Sequence, residues 1–180
     1  MIENKDIILR AIEETDLVML YEMINDQSIQ NMVGGNSRPI SMYQQKNWFA
    51  SIQNRTNELR LIIDTKNDGP IGVVMLTDIN YINGTAETHI KLNSKKSSRG
   101  KGYGYKAYMT LFEYAFNNMN LNCIFCQILD YNIPSINLHL KCGFVKEGRL
   151  RQRVYKNGKY NDMLIFSLLK KDWEKLLCQN

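Results

Sequence analysis

Gly100, Gly102 and Gly104 stand at alternate positions in the stretch SSRGKGYGYKAY, between basic side chains and a run with helical apolar spacing. Glycine at a helix entry lets backbone N–H groups approach a ligand closely. The first helical turn adds unpaired donors and a dipole that favours anions. The chemistry this suits is the binding of phosphate, and a pyrophosphate fits best. Two other phosphate loops are excluded, because G-x-x-x-x-G-K-[ST] is absent and the three glycines do not make G-x-G-x-x-G. A second candidate is the pair Cys123 and Cys126 in CIFC, which has the spacing of a redox motif or half a zinc site. The surrounding NCIFCQIL reads as a strand, in which residues three apart point to opposite faces, and no second Cys/His pair stands at ligand spacing. Two ordinary buried thiols are expected there, and no metal site.

The elements that must position these residues belong to a chain of 180 residues with 44% hydrophobic content, enough for one compact domain spanning 1–180. No apolar run reaches the length of a membrane span, and MIENKDIILRAIEETD has no signal-peptide core. A cytoplasmic protein with reduced thiols and no membrane partner is expected. Net charge divides unevenly: residues 1–94 carry −4 and residues 95–180 carry +9. A basic half suits phosphate, on nucleic acid or on a nucleotide cofactor, and an acidic half suits a cationic ligand.

Strands and helices alternate without linker or repeat, which argues one α/β domain. DIILRAI reads as a strand and TDLVMLYEMIND as a helix capped by Thr15 or Asp16. Ser41 and Gln44 have capping-box spacing, so a second helix starts at about Ser41. NELRLIID and PIGVVMLTDIN read as strands around TKNDGP, and Asn83-Gly84 turns the chain into TAETHIKL. Tyr105, Tyr108, Phe112, Ala115 and Met119 keep helical spacing from Gly102 onward. NCIFCQIL as a strand, PSINLHLKC as a helix and a long hairpin with Asn157-Gly158 at its tip complete the order.

RGKGYG, Arg99 to Gly104, resembles the [QR]-x-x-G-x-[GA] acetyl-CoA loop of the GNAT superfamily of N-acyltransferases. NIPSINLHLKCGF, Asn132 to Phe144, resembles that superfamily's N-x-x-[SA]-x-x-L-Y-x-K-x-G-F segment at the right distance and in register. The hairpin stretch EGRLRQRVYKNGKYNDMLIFSLLKKDW is most similar to the branch with ribosomal-protein alanine, spermidine and nucleotide-amino-sugar N-acetyltransferases. The resemblance implies an α/β (α+β) GNAT fold. That fold is a central mixed, mostly antiparallel twisted sheet of about seven strands, flanked by about four helices and splayed at the cofactor cleft.

It also implies direct transfer of acetyl from acetyl-CoA to a primary amine in a ternary complex. Arg99, Gly100, Lys101, Gly102, Tyr103 and Gly104 then hold the pyrophosphate. The strand edge at Ile90, Lys91 and Leu92 holds the pantetheine arm, and Asn132 and Ser135 lie beside it. Glu87, on the strand before the loop, is the candidate base, with Tyr81 and His89 weaker ones. His139 stands where the family usually has the tyrosine that protonates the departing thiolate, so that assignment stays open. Cys142 is expected to pack rather than attack. Seven acidic and two basic side chains in residues 1–26 point to a cationic amine such as a polyamine, because in this fold the first two helices flank the acceptor cleft. An amino-sugar nucleotide or protein N-terminus is the alternative acceptor, and an acetyl-CoA-binding regulatory domain the alternative role. Nucleic acid is not expected as a partner, since KKSSRGK and RLRQRVYKNGK come with no recognised nucleic-acid motif. Homo-oligomers through sheet edges are compatible with the family.

Overall fold

The computed structural model describes residues 1–35, 38–93 and 100–178. Its eight strands are β1 (Ile2–Glu3), β2 (Ile7–Ala11), β3 (Leu59–Thr65), β4 (Gly69–Asn80), β5 (Thr85–Leu92), β6 (Cys123–Leu129), β7 (Val145–Lys156) and β8 (Lys159–Leu169). They form one open sheet in the order β1-β2-β3-β4-β5-β6-β8-β7. Every neighbouring pair is antiparallel except β5 and β6, which are parallel. Parallel neighbours need a long crossover, and α4 (Tyr103–Asn117) supplies it.

The main core lies between α4 and one face of the sheet. Tyr108, Leu111, Phe112 and Phe116 pack there with Leu9, Ile63, Val74 and Leu76. The predicted periodicity of α4 holds, with Tyr108, Phe112 and Ala115 wholly buried and Tyr105 and Met119 packed at the margin. A smaller core on the opposite face, Ile12, Leu20, Ile62, Val73 and Met75, is covered by α1 (Leu17–Asn25) and by Trp48 and Phe49 of α3 (Met42–Ile52). The helix α3 starts where the capping box puts it: Ser41 Oγ accepts the Gln44 N–H and Gln44 Oε1 accepts the Ser41 N–H.

Three expectations change. Neither Thr15 nor Asp16 caps α1 by a side-chain bond. The chain enters through a 3-10 turn at Glu14–Asp16, and the buried Asp16 carboxylate accepts the Glu13 N–H and holds Arg10 by two bonds of 2.7 and 2.8 Å. The helix count rises above four because α2 (Gln27–Gln30) and α6 (Lys170–Cys178) join α5 (Ile133–Lys141) and the others. The helix α6 reads as polar in sequence and is held by the buried Trp173, whose ring lies 5.4 Å from that of Phe116. The two-residue β1 adds an eighth strand by pairing with Ile8 and Leu9.

Candidate active site

The strands β5 and β6 pair only at Thr85–Cys123, Ala86–Ile124 and Glu87–Phe125. Beyond Glu87, β5 stays with β4 as far as Leu92, while β6 follows β8 to Leu129, so the sheet splits. Two opposing ladders pull the strands apart, and a bulge at Asp78, φ 50°, adds twist beside the branch point. A cavity of about 610 Å³ opens at the split, bounded by Glu87–Lys91, Cys126–Leu129 and the first turns of α5.

On one side of the split lies the glycine loop. Gly102 caps α4 with φ 73°, a conformation that costs a side-chain-bearing residue roughly 1 kcal/mol. The first intrahelical bond runs from Lys106 N–H to Gly102 O, leaving the N–H groups of Tyr103, Gly104 and Tyr105 without helical acceptors. Gly104 packs closely on Leu138, Leu92 and Ile90, which draws the helix entry, the strand edge and α5 together. Lys101 and the Tyr103 hydroxyl both bind Asp68 at 2.9 Å, so these two side chains brace the loop from outside. Arg99 lies outside the described residues.

The Asn93 N–H donates to Ile71 O. By the alternation of an antiparallel ladder, the peptide groups of Ile90 and Leu92 therefore face the split. Their side chains pack toward α4 and the main core. Lys91 differs: its side chain crosses to the opposite face, among Val73, Met75, Trp48 and Arg60. Only its backbone belongs with the strand edge expected to hold a pantetheine arm. Asn132 caps α5 by accepting the Ser135 N–H and donates to Met32 O at 2.8 Å, and both Asn132 and Ser135 line the cavity.

Glu87 sits at the branch point with its side chain 16% exposed. Burial and nearby Asp78 raise its pKa, opposed by the Gln127 backbone N–H that it accepts. His89 Nε2 lies 3.7 Å from the Glu87 carboxylate and 3.1 Å from Thr77 Oγ1. Burial, then Lys91 and Arg60, push His89 down to about 4, so near neutral pH it is an uncharged neighbour of Glu87. Tyr81 is exposed on the turn after β4 and does not line the cavity. Cys142 is wholly buried off the cavity, its thiol pushed up to about 12 by burial, as a packing residue should be.

His139 lines the cavity wall but is only 3% exposed. Its Nδ1 lies 2.7 Å from Ser135 O. A carbonyl can only accept, so Nδ1 carries the proton, and Nε2 accepts from the Tyr108 hydroxyl at 3.1 Å. Burial lowers its pKa, partly opposed by the Ser135 bond. The neutral imidazole therefore has no N–H left to offer a leaving group. Tyr108 is the cavity-wall residue that sequence reading missed: its helical spacing marked it as core, yet a buried phenol needs a partner, and His139 supplies one.

The acidic wall expected from residues 1–26 does not form. Asp6 pairs with Lys106, Asp16 with Arg10, and Asp26 caps α2, while none of the seven acidic side chains lines the cavity. Among the described residues, the charged ones on the wall are Glu87, Arg60, Lys91 and Arg153. Cys123 and Cys126 are free thiols, and among the described residues no group of His, Cys, Asp or Glu could hold a metal. No described helix is long and apolar enough to cross a membrane.

A sheet split beside a parallel pair, with a glycine-capped helix on one side and a half-buried carboxylate at the branch, defines an acyl-CoA-binding transferase site. The sequence profile of the acetyltransferase (GNAT) domain family matches residues 6–145, and the chain belongs to that family. Spermidine N(1)-acetyltransferase of Vibrio cholerae serotype O1 is 28% identical over 161 residues, 89% of this chain and 91% of that protein. The crystal structure of spermidine N-acetyltransferase from Vibrio cholerae in complex with CoA and spermine superposes with a TM-score of 0.88 at 26% identity, covering 95% of this chain and 99% of that one. A dodecameric structure of spermidine N-acetyltransferase from Vibrio cholerae superposes with a TM-score of 0.80 at 27% identity, over 98% and 99% of the two chains. The protein is an N-acetyltransferase that takes acetyl from acetyl-CoA.

Proposed function

We propose that this chain, acting as one domain over residues 1–180, acetylates a primary amine delivered to Glu87, with polyamines the acceptor class its relatives put forward. The observation that carries the reading is the end of β5–β6 pairing at Glu87, which leaves a carboxylate of raised basicity where the sheet opens. The polyamine assignment is supported by the spermine-bound relative, whose fold matches over 95% of this chain.

Acetyl-CoA supplies an activated acyl group with a thiol leaving group. The unpaired N–H groups of Tyr103, Gly104 and Tyr105, with Gly100, Gly102 and the charge of Arg99, would hold its pyrophosphate, while Lys101 braces the loop through Asp68. The edge peptides of Ile90 and Leu92 would hold the pantetheine arm, and Asn132 and Ser135 would meet it from α5. Glu87 takes the proton that the amine gives up as its nitrogen bonds to the acyl carbon. His139 and Tyr108 act as a pair at the wall: the imidazole orients the phenol, and in its protonated form it can pass a proton toward the departing sulfur.

A second acceptor reading has its own support. With Glu87 as the single carboxylate among the described residues of a wall that also bears Arg60, Lys91 and Arg153, the cavity suits an amine carried on an anionic molecule such as an amino-sugar nucleotide. The deciding experiment measures free CoA thiol with spermidine, spermine, a nucleotide-linked amino sugar and a peptide N-terminus. Thiol release with spermidine supports the polyamine class, and release with the nucleotide alone selects the second. Acetyl-CoA binding without turnover of any amine would leave an acetyl-CoA-binding regulatory domain. We also propose self-assembly, on the likeness to the dodecameric relative, and a cytoplasmic location, where acetyl-CoA is available and the four free cysteines stay reduced.

A further inference from the structure

One amine already stands in the wall of the main cavity. Lys91 is the lysine of that wall among the described residues, and Glu87 is its carboxylate. Alternation along β5 puts Glu87, His89 and Lys91 on one face, with Met75 opposite His89 and Val73 opposite Lys91 on β4. The candidate base and this amine therefore line the same space. Four residues separate them along the strand, a span on the order of 13 Å, of which the extended four-methylene stem of a lysine covers roughly half. The root of Lys91 lies between the edge peptides of Ile90 and Leu92, which face the split where the arm of acetyl-CoA would run.

The lysines around the site are otherwise committed. Lys101 pairs with Asp68, Lys106 pairs with Asp6, and Lys156 donates to Gln30 O. The Lys91 amine makes no hydrogen bond or ion pair with any described residue. It is not sealed in, because the one fully buried side-chain polar atom without a partner among the described residues is Trp173 Nε1. The half-buried Lys91 side chain therefore leaves its nitrogen open to the cavity it lines. Burial lowers its pKa, and Arg60 and Lys156 add to the effect, so more of it is free base than of an exposed lysine.

We infer that Lys91 is itself an acetyl acceptor, and that the protein acetylates it in cis when no external amine fills the cavity. The Lys91 nitrogen, as free base, bonds to the thioester carbonyl carbon. The C–S bond breaks, its electron pair leaves on the CoA sulfur, and the proton shed by the nitrogen goes to Glu87. The product is an uncharged acetamide, so among the described residues of the wall Arg60 and Arg153 remain as the cations. Self-acetylation rests on the proposed seating of acetyl-CoA along Ile90–Leu92, and it adds a residue of the chain to the substrates of that site.

The test is peptide-mapped mass spectrometry of the whole protein incubated with acetyl-CoA and no other amine, with acetyl phosphate as a parallel donor that lacks the CoA arm. Lys91 should gain one acetyl group at least ~10-fold faster than the exposed Lys46, Lys66 and Lys159, because the donor is held beside it. The rate per molecule should not change with protein concentration. Excess free CoA should suppress the mark on Lys91 and leave those on the exposed lysines unchanged, and Lys91→Arg should lose the fast addition in its intact mass. Acetyl phosphate should show no preference for Lys91. An unmarked Lys91 in a protein that binds acetyl-CoA by calorimetry overturns the inference and leaves the cofactor site standing. A mark that acetyl phosphate places with equal preference, or that free CoA does not suppress, is plain chemical reactivity and overturns it too. Absence of acetyl-CoA binding would instead sink the proposed site, and the inference with it, so the two failures are separate.

Discussion

Glu87 and His139 were both read as proton-transfer residues, and the fold gives them unequal environments. Glu87 keeps a 16% exposed carboxylate at the branch of the sheet, with burial and Asp78 raising its pKa. It works as a base only when ionised, so turnover should rise with pH through a value above the ordinary ~4.3 of glutamate. Glu87→Gln should abolish that acid limb and lower turnover by roughly 10²-fold, with acetyl-CoA affinity unchanged by calorimetry. His139 behaves oppositely, because burial lowers its pKa and its neutral tautomer spends Nδ1–H on Ser135. Any acid role belongs to the imidazolium, which fades as pH rises through that lowered value. The rate ratio of wild type to His139→Phe should therefore grow toward low pH, to about tenfold, and flatten near neutrality. A ratio of one throughout would leave His139 as a packing partner of Tyr108.

The elements act through where they begin and end. The strand β5 matters because its pairing with β6 stops after three residues, and α4 matters because its first turn starts at a glycine with positive φ. Gly102 has open space where a Cβ would stand, so a substitution there strains the backbone without a clash. Gly102→Ala should cost about 1 kcal/mol of stability from φ alone. Gly102→Asp should in addition weaken acetyl-CoA binding by about 2 kcal/mol, because it sets a carboxylate against the pyrophosphate. Calorimetric dissociation constants equal for the Asp variant and wild type, with the fold intact, would remove this loop as the phosphate site. Elsewhere the ends of elements are tied by side chains, as in the Ser41–Gln44 box and the Asn132 cap of α5.

At the scale of the molecule, the acidic first half and the basic second half partly neutralise each other. Asp6, just before β2, reaches Lys106 on α4, and Asp68 reaches Lys101 at the glycine loop. The open sheet ends at β1 on one side and β7 on the other, and Tyr155 and Tyr160 lie exposed at the tip of the last hairpin. Light scattering on the eluted protein should give a mass several times the 21.0 kDa of one chain. A monomer at micromolar concentration would remove the proposed assembly.

The order of strands and helices, the cap at Ser41, the turn at Asn157-Gly158 and the two segments that resemble the family's motifs were readable from local sequence, because each depends on residues within one turn or strand. The short α2 and the polar α6 were not, since tertiary contacts such as Trp173 on Phe116 hold them. The charge of the cavity wall could not be read from composition. Acidic residues near one another in sequence were consumed by partners as distant as Lys106, while Arg60, Lys91 and Arg153, from three strands, were brought to one cavity. Strand alternation determined that Lys91 would face away from Ile90 and Leu92, but what would cover that face depended on where α1 and α3 packed. The Tyr108–His139 bond likewise joins residues 31 positions apart and needed α4 packed against α5, whereas Ser135 O, four residues back on the same helix, decided which nitrogen of the imidazole carries the proton.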